Sequence, residues 1–192
     1  MVAMIGHNGG PSIAKGAGFR TVAWRKARAT LLPSLPLEIV RMRVKRAERL
    51  GLPYKTYATI RAVSGRDIVA FLFSSNALDM RSAPQIPAPE VARLRELQGA
   101  VQRLGALHYP LRPIDVAPND ALDHVAQAPS WTAQWSETRA TLRAIALDAG
   151  GPSDGSVVVA ATALERPWAD CAGFAAAVGA NAVFSQRAST VI

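Results

Sequence analysis

Several residue types that mark particular functions are scarce or badly placed in this sequence. The single cysteine, Cys171, cannot form a disulfide within the chain, which fits a reducing compartment. The three histidines, His7, His108 and His124, lack the spacing of metal ligands. No apolar stretch reaches about 18 residues, and the start of the chain lacks the features of a signal peptide. We therefore predict no membrane span, no metal site and a cytoplasmic location.

Residues 83–192 contain no lysine, and charge is unevenly distributed along the chain. Residues 1–82 contain 14 basic and 4 acidic residues, a net charge of +10, whereas residues 83–192 contain 8 and 10, a net charge of −2. A basic segment of this kind attracts polyanions. The pattern indicates a nucleic acid as the partner, and an RNA- or ribosome-associated protein is the main alternative to a DNA-binding one. A second interpretation is an adaptor whose basic half docks on an acidic protein.

Apolar residues recur at helical spacing along much of the chain. Residues 36–50 repeat them at steps of three and four, and Pro53 suits the first turn of a second helix. Residues 66–78 fit either a buried helix or a strand, and Asp67 favours the helix. The near-heptad spacing over residues 90–107 predicts a helix that packs within its domain or forms a homodimer.

The predicted fold is therefore mainly α. A further helix is predicted over residues 131–149, and the β-branched run at 157–161 indicates a buried strand. Three prolines between residues 84 and 89 suggest a domain boundary. The predicted parts are a flexible basic arm at 1–33, a basic helix-turn-helix-like module at 34–82, a linker at 83–89, and an α or small α/β module at 90–192.

The junction between the first two predicted helices has the residue types of a helix-turn-helix. Gly51 permits the positive φ of the turn, and Ala47 is small where the second helix crosses the first. The apolar positions around the turn are Leu50, Leu52, Tyr57 and Ile60. Over residues 43–62 the sequence thus resembles the helix-turn-helix of bacterial transcription regulators. The first residues of the chain also resemble the start of short bacterial proteins.

This resemblance implies that the second helix lies in the major groove of DNA. Basic residues at steps of four on the first helix would then contact phosphates, while outward residues of the second helix would face base edges. The expected nucleic-acid-binding residues are Arg41, Lys45, Arg49, Tyr54, Lys55, Thr56, Thr59 and Arg61. The basic residues of the arm, from Lys15 to Arg28, would follow the DNA backbone or enter a minor groove.

No set of acid, base and nucleophile emerges from the sequence, so no enzyme activity and no cofactor are predicted. Residues 151–155 match the G-x-S-x-G pattern of serine hydrolases, but a predicted helix precedes them and a predicted strand follows. Residues 157–185 resemble the end of a response-regulator receiver without its phosphoacceptor, which implies an interaction module as an alternative. The favoured function is that of a DNA-binding protein, either a transcriptional regulator or another DNA-associated factor.

Overall fold

The computed structural model describes residues 35–80, 83–116 and 120–184. The chain divides into two compact units at Val40, and of the first unit only residues 35–40 are described. The predicted basic arm at 1–33 lies outside the described residues. In the described part, no helix is both long enough and apolar enough to cross a membrane.

The second unit is built on a five-stranded, all-parallel β-sheet with helices on both faces. The strands lie in the order β3-β2-β1-β4-β5. Their bounds are β1 Ala70–Ser74, β2 Gln102–Leu107, β3 His124–Gln127, β4 Ser156–Ala160 and β5 Ala176–Gly179. The prediction of a mainly α fold is wrong, because this is an α/β fold.

The helices connect and cover these strands. Their bounds are α1 Leu37–Leu50, α2 Tyr54–Ser64, α3 Ala88–Glu96, α4 Trp135–Asp148, α5 Trp168–Ala172 and α6 Ala180–Phe184. The helix predicted at 36–50 and the second helix predicted to begin at Pro53 are confirmed, as is the strand predicted at 157–161. The helix predicted over 131–149 is confirmed from Trp135 onwards. The predicted linker at 83–89 falls between β1 and β2, which are neighbours in the one sheet.

The central strand β1 corrects the helix predicted over residues 66–78. All five of its residues are buried, since helices cover both faces of the sheet. A parallel strand in this position is apolar without alternation, which leaves the pattern identical to that of a buried helix. Asp67, interpreted as a first-turn residue, instead precedes the strand and accepts hydrogen bonds from Arg46 and Tyr57.

The amphipathic helix predicted over residues 90–107 is also wrong, because α3 ends at Glu96. Gly99 then adopts a left-handed conformation with φ of 68° and turns the chain into β2. Leu94 and Leu104 are both buried, one on the helix and the other on the strand. Because both positions are apolar, their spacing matched that of residues on one face of a continuous helix. The long helix on which the predicted homodimer depended is therefore absent, since only its part up to Glu96 is helical.

Two apolar layers hold the sheet between its helices. The first packs Leu50, Leu52, Tyr57 and Ile60 from the α1–α2 region, with α3, against the β1 residues Phe71 and Phe73. The second packs α4 and α5 against the opposite face through residues such as Leu142, Ile145 and Trp168. The helices α1 and α2 thus cover one face of the sheet.

Candidate functional site

The junction of α1 and α2 has the local structure that the sequence predicted. Gly51 has a φ of 67°, and the N–H of Leu52 donates to the carbonyl of Ala47 at 2.9 Å. Ala47, Leu50 and Ile60 are all buried. An αα-hairpin with a tight glycine turn is therefore present, and its apolar side faces the sheet.

Two residues of this hairpin tie it to the amino edge of the sheet. The Arg46 guanidinium donates to the Asp67 carboxylate at 3.0 Å and to the carbonyls of Ile68 and Ala100 at 2.8 and 3.0 Å. The Tyr57 hydroxyl donates to the other Asp67 oxygen at 2.8 Å. Burial, followed by the bond to Asp67, raises the pKa of Tyr57. The side chains of Arg46 and Tyr57 thus attach the hairpin to the segments that precede β1 and β2.

The structure divides the expected nucleic-acid-binding residues into two groups by exposure. The exposed group is Arg41, Lys45, Arg49, Lys55 and Thr59, and the half-buried group is Tyr54, Thr56 and Arg61. Arg61 lies 3.5 Å from the Asp67 carboxylate, and Tyr54 packs against the first apolar layer. The Thr59 hydroxyl donates back to the carbonyl of Lys55 at 2.9 Å. The exposed group is the part that is available to a partner.

The exposed cations form a basic surface. Within the described ranges, none of Arg41, Lys45, Arg49 and Lys55 forms an ion pair with an acidic side chain. Residues 41–61 contain seven basic residues against one acid, Glu48, which gives a net charge of +6. We call Arg41, Lys45 and Arg49, which follow one another at steps of four along α1, the basic ridge.

A second cluster, which sequence reasoning missed, lies at the carboxyl edge of the sheet around Glu165. Glu165 follows β4 and is 0% exposed. One carboxylate oxygen, Oε1, accepts hydrogen bonds from Asn76 Nδ2 at 2.8 Å and from His108 Nε2 at 3.1 Å. The other, Oε2, accepts from the backbone N–H groups of Ala161 and Thr162 at 2.8 and 3.0 Å. One side chain therefore links the segments that follow β1, β2 and β4.

The environment of Glu165 favours its ionised form. Burial alone raises the pKa of a carboxyl group, but the hydrogen bonds from His108, Asn76 and Thr162 outweigh that effect and lower the pKa of Glu165 to about 2. All four donors point at the carboxylate, so it acts as a fixed acceptor. It lies between the ends of β1 and β4, where ligands commonly bind in doubly wound sheets.

The two serines at the end of β1 shape the same edge. Ser74 Oγ accepts from the N–H of Ala77 at 3.0 Å, and Ser75 Oγ accepts from the N–H of His108 at 3.1 Å. Both residues are buried. These bonds set the path of the chain after β1 and hold His108 beside Glu165.

Aromatic side chains enclose His108 on its outer side. Its ring stacks on Trp131 with centroids 4.1 Å apart and an interplanar angle of 17°, and Trp168 lies 5.3 Å away. Trp131 follows β3, whereas Trp168 begins α5. The carboxyl edge thus combines a buried polar network with an aromatic wall. Sequence reasoning missed this edge because His108 and Glu165 are 57 positions apart, and two of the strands that align its residues were predicted as helices.

Strand order, parallel pairing and helices on both faces define the protein as a doubly wound α/β protein. No protein-family model matches the chain, no curated protein matches it, and no solved structure matches it. Among the described residues, no group of three or more His, Cys, Asp or Glu side chains is placed to hold a metal ion.

We expect the Glu165 network to make stability dependent on acid pH. The folded-state pKa of about 2 lies below the ordinary 4.5, so the stabilisation is fully present above about pH 4.5. It is lost as the pH falls from there towards 2, because over this range the carboxyl group of the unfolded chain takes up a proton while that of the folded protein stays ionised. The shift corresponds to on the order of 3 kcal/mol of unfolding free energy.

Urea unfolding of the wild type and of Glu165→Gln across pH 2–7 measures this effect. The amide nitrogen of glutamine would face two of the four donors, so the variant is less stable at neutral pH. The difference between the two proteins should shrink below pH 4.5, because protonation of Glu165 in the unfolded wild type lowers the stability of the wild type and does not affect the variant. A difference that stays constant down to pH 2 would contradict the prediction.

Proposed function

We propose that this protein binds nucleic acid, with duplex DNA as the preferred form, through the basic ridge and the exposed side of α2. The observation that carries the proposal is the ridge of three exposed cations without acidic partners among the described residues. Surface cations that form no ion pair can replace the counterions of a polyanion. Arg49 also donates to the carbonyl of Gly99 at 3.2 Å, a bond that leaves its charge uncompensated. The rigid attachment through Arg46 and Asp67 fixes the helix that presents them.

The spacing of the ridge suits a phosphate backbone. Its residues lie at steps of four on α1, which places successive cations about 6 Å apart along the axis. Phosphates of one DNA strand are separated by a similar distance, since each nucleotide advances about 3.4 Å along the axis and the strand winds around it. Such contacts position a protein on DNA and are indifferent to sequence.

Selectivity for sequence would come from α2. Lys55 and Thr59 are exposed one helical turn apart, while Tyr57 and Ile60 on the other side of the same helix are buried. A lysine donates to the acceptors of guanine, and a threonine contacts either polar edges or the thymine methyl group. Binding of this kind would make the protein a transcriptional regulator or another DNA-associated factor.

We expect Lys45→Ala and Lys55→Ala to change DNA binding in different ways. Loss of Lys45 removes a phosphate contact, so affinity should fall on every duplex and the slope of log K against log salt should decrease by about one. Loss of Lys55 should cost about 1–3 kcal/mol on a selected sequence and less on random DNA. Fluorescence anisotropy with selected and random duplexes, at two salt concentrations, measures both.

Arg95→Ala is the matched control, because it removes one exposed positive charge that is already paired with Asp120 at 2.9 Å. It lowers the net charge equally and should leave DNA affinity within about twofold. Equal losses of DNA affinity in all three variants would indicate a non-specific effect of net charge and would contradict the role proposed for the basic ridge. Binding to polyglutamate as tight as binding to DNA would instead favour docking on an acidic protein.

A further inference from the structure

A small aromatic pocket opens next to the Glu165 network. Its volume is about 190 Å³, and its walls include the indole rings of Trp131, Trp135 and Trp168 together with Leu164 and Pro167. Trp131 and Trp135 are 51% and 58% exposed, which is unusual for side chains of this size. Exposed aromatic groups that converge on one concavity indicate a binding site.

The walls of the pocket are held in place from behind. Trp131 stacks on His108, which is bonded to the buried Glu165, and Trp168 is itself buried in the second apolar layer. Cys171, at the base of the pocket, donates its thiol to the carbonyl of Trp135 at 3.3 Å. The rings of Trp131 and Trp168 are therefore in position before any ligand arrives, which lowers the entropic cost of binding.

The chemistry of the walls restricts what can enter. The lining contains no charged side chain, and its polar groups include the hydroxyls of Ser130 and Thr138. A pocket of this volume is smaller than the range of about 300–1,000 Å³ that is typical of sites for drug-sized ligands. It is suited to one uncharged planar ring system, stacked on indole and able to hydrogen-bond along its edge.

Positive charge lies beside the pocket on α4. Trp135, Arg139 and Arg143 follow one another at steps of four, so they share one side of the helix. Arg143 donates to the carbonyl of Ala172 at 2.9 Å, so this side of α4 faces α5, the helix that carries Cys171. Arg139 is exposed, and no ion pair involving it is seen in the described ranges.

We propose that this pocket binds a nucleotide, with the nucleobase stacked on the exposed indoles of Trp131 and Trp135 and the phosphate next to Arg139. A nucleobase is an uncharged planar ring with polar edges, and every base presents a face for stacking. The adjoining phosphate is the anion that an exposed guanidinium recognises best. The site is distinct from the basic ridge, and the nucleotide is either free or the terminal residue of a single strand.

Isothermal titration calorimetry of the full-length protein with adenosine monophosphate tests the site. We expect saturable binding that weakens at least tenfold in Trp135→Ala, because the variant loses one stacking wall. Arg139→Ala should weaken binding of the monophosphate and leave binding of adenosine unchanged. Leu147→Ala, which truncates an exposed apolar residue on the same helix away from the pocket, is the control and should bind like the wild type.

Further titrations separate the sources of the ligand and the two proposals. A short single strand with a terminal 5′-phosphate should bind more tightly than the monophosphate if strand ends are the ligand, and no more tightly if free nucleotides are. Lys45→Ala should retain nucleotide binding, and Trp135→Ala should retain duplex binding. Absence of saturation at millimolar monophosphate, indole binding as tight as the nucleotide, or unchanged affinity in folded Trp135→Ala would each overturn the assignment.

Discussion

Replacing Glu165 with alanine is expected to lower the free energy of unfolding by about 3–5 kcal/mol, the range seen when a buried charged partner is removed. The substitution leaves four donors without their acceptor, on Asn76, His108, Ala161 and Thr162. Each buried donor that loses its partner costs about 1–3 kcal/mol, and local rearrangement recovers part of the sum. For a domain of this size the melting temperature should fall by about 6–20 °C.

Calorimetry of Glu165→Ala beside Asp154→Ala measures the effect against a matched control. Asp154 is also an acid with a short ion pair, to Arg66 at 2.7 Å, but both side chains are at least half exposed. An exposed pair contributes about 0–1 kcal/mol, so its loss should barely change the melting temperature. Similar melting temperatures for the two variants would show that Glu165 does not hold the three strand ends together.

The sequence predicted the elements whose signal is local. Helix α4 carries a clear apolar period, and β4 is a run of β-branched valines. The turn at Gly51 was predictable because only glycine adopts a positive φ at little cost. Each of these follows from fewer than twenty consecutive residues.

The elements that were mispredicted depend on contacts between distant segments. Strand β1 is apolar along its whole length because α1–α2 and α4 cover opposite faces of the sheet, and nothing within residues 70–74 records this. The same holds for the Glu165 network, whose donors come from the ends of β1, β2 and β4. The parallel sheet brings them to one edge, so the site becomes predictable only once the strand order is known.

The basic ridge and the aromatic pocket lie in different parts of the sheet architecture. Arg46, on the helix that carries the ridge, bonds to carbonyls that precede β1 and β2, at the amino edge. The pocket lies beside residues that follow β3 and β4, at the carboxyl edge. Substitutions in one are therefore expected to leave the other intact, which allows the two binding proposals to be tested independently.

Asp123→Ala is expected to destabilise the fold more than Arg103→Met, although both substitutions break the same ion pair. Arg103, on β2, donates to the two Asp123 oxygens at 3.0 and 2.6 Å. The side chain of Arg103 is only 3% exposed, whereas that of Asp123 is 43% exposed. The bonds from Arg103 lower the pKa of Asp123, so the pair is ionised at neutral pH.

The two substitutions differ in cost because each leaves a different charge without its partner. Without Asp123 the guanidinium keeps its bonds to the carbonyls of Leu94 and Asp120, but its charge stays buried and uncompensated, at a cost of about 3–5 kcal/mol. Without Arg103 the Asp123 carboxylate can take up water, and methionine fills much of the vacated apolar space, so about 1–2 kcal/mol is expected. Urea unfolding of the two single variants and of the double variant measures the two costs and their coupling. In the double variant neither charge is left without its partner, so it should be more stable than Asp123→Ala alone; a double variant less stable than either single one would contradict the burial argument.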